Sequence, residues 1–196
     1  YNVWDYYFKP VSKFKLKEVY KSKNVLICDN RTSKKGFSIS NFKSNFKYFN
    51  GFQYLDNRHK KIIKKYIKIN KNILKESDRF VEKNFINKKI LGVCFRGTDQ
   101  KKSAYQPYPP TEKQILYTTN YLLKKHKFDN IYLCTEDVEF LNFFKKKYKS
   151  ILLYNNSPRT NDKIDLFDYP SKKHRYYVGK GNLIDMLNLS KPNHML

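Results

Sequence analysis

The apolar run Ile90-Leu91-Gly92-Val93-Cys94-Phe95 gives way at once to Arg96-Gly97-Thr98-Asp99. These four side-chain types suit the handling of a phosphate. An arginine can grip an anion through two parallel N–H donors, and an aspartate can orient a ligand or accept a proton. Gly97 permits an unusual backbone angle or the close approach of a ligand. The same residues also suit a strand end whose arginine pairs with a nearby carboxylate while Asp99 caps a turn. Spacing alone leaves both readings open.

A second polar cluster, Thr135-Glu136-Asp137, follows the apolar stretch 131–134. Asp137 is placed to cap a helix starting at Val138, and Thr135 and Glu136 suit ribose or sugar hydroxyls better than phosphate. His174-Arg175-Tyr176 precedes a last helical stretch that contains Asp185. At about 100° per residue, Leu183, Ile184 and Leu187 form a stripe with Asp185 opposite, so the pattern reads Asp185 as solvated. The four histidines (59, 126, 174, 194) lack ligand spacing and Asp162-Lys163-Ile164-Asp165 lacks an Asp-x-Asp pair, so no metal site is expected. GxGxxG and GxxxxGK[ST] loops are absent.

The elements that must position these clusters follow from periodicity. Apolar residues at 62, 63, 66, 67, 69, 73 and 74 predict an amphipathic helix over Arg58 to Glu76. Lys89 to Phe95, Ile131 to Thr135 and Ile151 to Leu153 read as buried strands, and Val25 to Cys28 as a short one. Thr111-Glu112-Lys113-Gln114 has capping-box spacing and opens a helix to about Lys125. Helices are also predicted over Val138 to Tyr148 and Tyr177 to Leu189. This β-α-β-α-β-(loop)-α order implies an α/β fold, a Rossmann-like parallel sheet with helices on both faces. Ligands gather beyond the carboxyl ends of such strands, where both polar clusters fall.

Charge narrows the partners. The 196 residues carry a formal net charge of +24, which points to an anionic partner. Only six of the 41 basic residues are arginines, and the lysines are spread along the whole chain. That pattern argues against nucleic-acid recognition, which favours arginine, and fits peripheral attraction to an acidic membrane surface better. No apolar run reaches membrane-span length. Cys28, Cys94 and Cys134 lack metal spacing and are expected to be reduced, the latter two buried, as in a cytoplasmic protein. The chain opens on Tyr1 and stops within the run His194-Met195-Leu196, so it is expected to be a piece of a longer protein.

Taken in order, GVCFRGTD, a proline-rich turn into TEKQI, IYLCTEDVEFLNFFKKKY and HRYYVGKGNLIDMLNLSK resemble the α-1,6-fucosyltransferase and nodulation-fucosyltransferase superfamily. Its pattern runs His-x-Arg-Arg-Thr-Asp, then Thr-Asp-Asp after a strand, then a segment ending Leu-Asp-x-x-x-Leu-Ser. The bacterial Arg-Gly-Thr-Asp branch, often found with polysaccharide-synthesis genes, is the nearer match, and Trp4-Asp5-Tyr6-Tyr7-Phe8 is similar to its Trp-x-Tyr-Tyr-Phe segment. The resemblance implies a GT-B-like glycosyltransferase that uses a GDP-sugar, typically GDP-fucose, with no metal or other cofactor. Residues 1–88 would hold part of an amino-terminal lobe and a connecting helix. Residues 89–196 would form the nucleotide-sugar-binding lobe, truncated at its carboxyl end.

By position, the resemblance gives Arg96 the donor diphosphate, with Gly97 and Thr98 beside it, and gives Thr135, Glu136 and Asp137 the Thr-Asp-Asp role. Asp185 would read the nucleotide, and His174, Arg175 and Tyr176 would close over the donor. Asp99 is the candidate base. Gly97 stands where the family has a second arginine, and Gln106 where the bacterial branch tends to have histidine. No glutamate between Gln100 and Pro110 matches the base proposed in the α-1,6 enzymes. The partners implied are a GDP-sugar donor and a glycan or lipid-linked saccharide acceptor. Another GDP-sugar such as a heptose, or a non-catalytic polyanion-binding role, are the alternatives.

Overall fold

Two strands with apolar side chains on both faces, 90–95 and 130–135, can be buried only between two layers of helix. The computed structural model, which describes residues 3–23, 57–98, 110–161 and 171–196, has that arrangement. The chain divides into two compact units, Tyr1–Asn70 and Lys71–Leu196.

In the first unit, helices α1 (Trp4–Tyr7), α2 (Leu16–Lys21) and α3 (Asn57–Tyr66) are described. The single helix expected over 58–76 is broken. α3 ends at Tyr66, and a new helix runs Lys71–Asn84 in the second unit. Local pairing explains the interruption. Ile69 forms an antiparallel bridge with Phe8, and Lys9 N donates to Lys68 O at 2.7 Å and Asn70 N to Tyr7 O at 2.9 Å. The Asn70 side chain also donates to the carbonyls of Asp5 and Tyr6 at 3.1 and 3.2 Å. These bonds require an extended backbone where helix periodicity alone would continue.

The second unit runs α4 (Lys71–Asn84), β1 (Ile90–Phe95), α5 (Glu112–His126), β2 (Asn130–Thr135), α6 (Val138–Tyr148), β3 (Leu152–Tyr154), α7 (His174–Leu189) and β4 (His194–Met195). The strands form one parallel sheet in the order β3-β2-β1-β4. The expected α/β parallel sheet with helices on both faces is therefore present. The short edge strand β4, not expected from the sequence, pairs Leu91 with His194 and Gly92 with Met195. α5 opens with the predicted capping box: Gln114 N donates to Thr111 Oγ1 at 3.2 Å, and Thr111 N to Gln114 Oε1 at 2.7 Å.

The period of two sorts the side chains between the faces. Leu91, Val93, Phe95, Ile131 and Leu133 pack with Ile115 and Leu122 of α5 and Phe140, Leu141 and Phe144 of α6. On the other face, Ile90 and Tyr132 pack with Phe85 and with Phe80 and Val81 of α4. The strand Val25–Cys28, the stretch 29–56, Asp99 and Gln106 lie outside the described residues.

Candidate functional site

Both polar clusters sit at the carboxyl edge of the sheet because β1 and β2 run in register, Phe95 opposite Thr135. The residues that follow each strand are joined through Glu136. Its Oε2 lies 3.6 Å from Arg96 Nε, and its Oε1 accepts from Thr98 Oγ1 at 3.2 Å. The Arg96 side chain is 50 % exposed and that of Glu136 only 14 %. The guanidinium thus stands at the surface, anchored from below by a mostly buried carboxylate. The arginine–carboxylate pairing open at the sequence level is present, and it holds the cation at the carboxyl edge of the sheet.

Asp137 caps α6 as its position predicted: Oδ1 accepts from Glu139 N at 2.8 Å and from Phe140 N at 3.0 Å. Thr135 turns inward, its Oγ1 accepting from Asp137 N at 3.1 Å. Gly97 is explained by this cap. A Cβ there would stand 2.5 Å from Asp137 Oδ2 and 2.7 Å from Phe95 Cε1. Its backbone angle is ordinary, since no described glycine has positive φ. The close approach that needs glycine is made by the chain's own aspartate and phenylalanine, and a larger side chain would displace the cap.

Asp185 is buried at 3 % exposure, not solvated. The buried positions of α7 are Val178, Gly181, Ile184, Asp185 and Asn188, so the stripe expected at Leu183, Ile184 and Leu187 is rotated. The rotation follows from a polar chain beneath the helix. Tyr132 Oη donates to Asp185 Oδ1 at 2.5 Å and accepts from Asn188 Nδ2 at 3.1 Å. Ser77 Oγ of α4 donates to Asn188 Oδ1 at 2.7 Å, and Ser157 Oγ to Asp185 Oδ2 at 3.3 Å. Burial raises the Asp185 pKa, against the lowering effects of Tyr132 and Arg159. Burial and the neighbouring Asp185 together push the Tyr132 phenol up.

Arg159 was not singled out in the sequence, yet it ties the loop after β3 to β2. Its Nε donates to Thr135 O at 3.0 Å, Nη1 to Ser157 O at 2.9 Å and Nη2 to Asn155 O at 2.7 Å. Thr160 completes the tie, bridging Asp137 in parallel fashion. An arginine just after a strand in an Asn/Ser/Pro loop was the available signal. Gly181 lets that loop reach α7, since a Cβ there would meet Ser157 Cβ at 2.5 Å.

His174, Arg175 and Tyr176 form the first turn of α7, with His174 Nδ1 3.1 Å from Ser171 O. The N-cap residue of that helix, Lys173, gives it no side-chain cap bond. α7 feeds the parallel strand β4, so it descends along the sheet from the carboxyl edge. Its first turn therefore belongs to that edge, while Asp185 lies about 16 Å further along the axis at 1.5 Å per residue.

The two cysteines differ from expectation. Both are free thiols, but Cys94 is exposed and Cys134 half-buried. Residues 94 and 134 are register partners near the carboxyl edge, on the face that carries α4 and α7. Hydrogen bonding between them holds the Cys94 thiol below the usual thiol range and pushes Cys134 up. Among the described residues, no group of three or more His, Cys, Asp or Glu side chains could hold a metal ion.

This sheet and its helices match solved structures. The fold is similar to that of NodZ. A NodZ α-1,6-fucosyltransferase co-crystallised with GDP aligns with a TM-score of 0.54 at 17 % identity, over 99 % of this chain and 70 % of that one. One soaked with GDP-fucose gives 0.51 at 17 %, with the same coverage. Fucosyltransferase NodZ from Bradyrhizobium gives 0.52 at 16 %, over 99 % and 71 %. No protein-family model matches the chain, and no curated protein matches it by sequence. The likeness to NodZ is one of fold, the GT-B-like α/β architecture.

Proposed function

We propose that the chain is a glycosyltransferase that moves a sugar from a GDP-sugar, GDP-fucose favoured, to a glycan or lipid-linked saccharide. The observation that carries this reading is where Arg96 stands. It is half-exposed, braced by Glu136 at the carboxyl edge of the sheet, where folds of this kind take their ligands. The solved NodZ structures with GDP and GDP-fucose supply the ligand class.

The transfer proceeds with inversion. An acceptor hydroxyl attacks the anomeric carbon and forms the new C–O bond as the bond to the diphosphate breaks, and the hydroxyl proton passes to a base. Asp99 is assigned that role. The bonding electrons leave with GDP, whose added negative charge Arg96 offsets, a contact that strengthens toward the transition state. The amino terminus of α6 is already closed by the Asp137 carboxylate. The first turn of α7, with His174, Arg175 and Tyr176, is the helix end assigned to the donor. Thr98 and Glu136 fix Arg96, while Gly97, Thr135 and Asp137 shape the floor. Asp185, with lone pairs beyond those that Tyr132, Ser157 and Asn155 use, is assigned to the nucleotide base. The reaction is assigned no metal, and the protein a cytoplasmic site at an acidic membrane surface. Residues 89–196 are assigned to donor binding, and 1–88 to part of the second lobe with its connecting helix.

A thermal-shift panel of nucleoside diphosphates and nucleotide sugars on the protein tests the reading. GDP and one GDP-sugar are expected to stabilise it selectively in moderate salt. Arg96→Ala is expected to weaken GDP about tenfold or more, as the loss of a charge-assisted contact of about 1.5–3 kcal/mol requires. No shift with GDP or any GDP-sugar would overturn the proposal. The panel also separates GDP-fucose from a GDP-heptose.

A further inference from the structure

α3 carries the side-chain pattern of a helix that lies in a membrane surface. Ile62, Ile63 and Tyr66, with Ile67 directly after the helix and still bonded through its N to Ile63 O, sit on one stripe, spanning an arc of about 140° at 3.6 residues per turn. All four are exposed, at 57, 46, 41 and 38 %. Lys60 and Lys65 flank that stripe on either side, and Lys61 and Lys64 lie on the opposite face. The Lys65 ammonium stands 5.0 Å over the Tyr66 ring, so its stem runs along the apolar edge. No aspartate or glutamate occurs from residue 57 through residue 75.

We infer that α3 docks in the plane of an anionic lipid bilayer, its isoleucine–tyrosine stripe among the acyl chains and its lysines at the headgroups. The choice of occupant follows from what each candidate would satisfy. A second copy of the chain would cover the isoleucines but set lysine against lysine, with no carboxylate on α3 itself to offset them. A nucleic acid would use the lysines and leave the isoleucines in water. An anionic bilayer takes both sets at once: apolar burial and charge attraction add, and flanking lysines reach headgroups by snorkelling. This gives the membrane association proposed above a residue-level address. It does not depend on which donor, if any, the second unit binds.

The test is co-sedimentation of the protein with vesicles of phosphatidylcholine alone and of phosphatidylcholine mixed with phosphatidylglycerol. Binding is expected to the mixed vesicles only. Ile62→Ser with Ile63→Ser is expected to lower it at least tenfold while leaving the helical circular-dichroism signal and any GDP-induced thermal shift unchanged. Each of Lys60→Gln and Lys65→Gln is expected to weaken it about fivefold. Tyr66→Ser with Ile67→Ser carries the same test on the next turn if the first pair does not fold. Equal binding to both vesicle types, or none, would overturn the assignment. So would lysine variants that weaken binding while both apolar pairs leave it intact, since that is charge attraction without insertion. A wild-type protein that elutes as a dimer which the apolar pairs dissociate, with no vesicle binding, would give the face to a second copy instead.

Discussion

The two faces of the sheet are covered in different ways. Against α5 and α6 the contacts are mainly hydrocarbon and ring, with Thr119 buried and one hydrogen bond, Tyr148 Oη to Asn120 Oδ1 at 3.1 Å, at the margin. Phe95 and Phe140 pack as tilted rings at 4.0 Å between centroids, and Phe140 and Phe144 at 4.6 Å. Against α4 and α7 the same strands meet a partly polar layer: a hydrogen-bonded chain from Ser77 through Asn188, Tyr132 and Asp185 to Ser157 lies beside the Phe80, Phe85 and Tyr132 rings. A dry face derives its stability from area and packing, whereas a polar layer depends on every member having its partner. The polar face is also the one that carries Cys94, Asp185 and the first turn of α7. Specificity of packing and the candidate chemistry therefore share one side of the molecule.

The largest expected effect comes from the apolar face. Phe144 is fully buried, and Phe144→Ala should cost about 3–5 kcal/mol in chemical denaturation. GDP affinity of the folded fraction should be unchanged, since Phe144 approaches none of the assigned donor residues. A loss below about 1 kcal/mol would mean that this face is not the tight core described.

Tyr132→Phe makes the matching cut on the other face. The ring keeps its edge contacts with Phe80 and Phe85, both at 5.5 Å. Only the hydroxyl goes, and with it the bonds to Asp185 and Asn188. Loss of a hydrogen bond to a charged acceptor predicts about 1.5–3 kcal/mol. If Tyr132→Phe proves neutral, the polar layer is not a connected network and the contrast between the faces fails.

How far each face could be read from sequence follows from the same contrast. Strands 90–95 and 130–135 and the helix 138–148 were legible because their buried positions are apolar. The α7 face was not, because Gly181, Asp185 and Asn188 are buried through partners on other elements: Ser157, Tyr132 and Ser77. A pattern of hydrophobicity scores such positions as solvent-facing. The break after Tyr66 was hidden for a related reason, since it is set by pairing of 68–70 with residues 5–9. β4 has only two residues, below the length at which alternation carries a signal. At the site, the arginine, the cap and the two clusters at the carboxyl edge were visible as motifs. Arg159 was not, because its donors go to backbone carbonyls that no motif encodes.

Gly97→Ala probes the seam between the faces, where β1 runs out beside the α6 cap. The added methyl would fall 2.5 Å from Asp137 Oδ2, so the carboxylate must leave Glu139 N and Phe140 N or β1 must shift. Loss of a cap predicts about 1–2 kcal/mol. The readout is urea denaturation compared with Asp137→Ala. If the cap is the cause, the double variant should cost little more than either single one. Full additivity would place the strain elsewhere, against Phe95 for instance.

The smallest expected effect is a slope. Burial raises the native-state pKa of Asp185 above its ordinary value of 3.8, so the native state binds that proton more tightly than the unfolded chain does. As pH rises from the unfolded value toward the raised native one, the unfolded chain ionises first, and the wild-type protein loses stability over that window. Asp185→Asn keeps the volume and an acceptor for the Tyr132 hydroxyl but cannot titrate. Subtracting its stability from that of the wild type should give a difference that is flat below about pH 4, falls through the window and is flat again above it. Phe144→Ala, measured in the same way, should give no slope in that window, because it leaves the Asp185 carboxylate and its partners in place. A difference that instead rises with pH would mean that Arg159 and the two hydroxyl donors outweigh burial. Asp185 would then stand in the native protein as a held anion, the form whose remaining lone pairs accept from the N–H groups of a guanine.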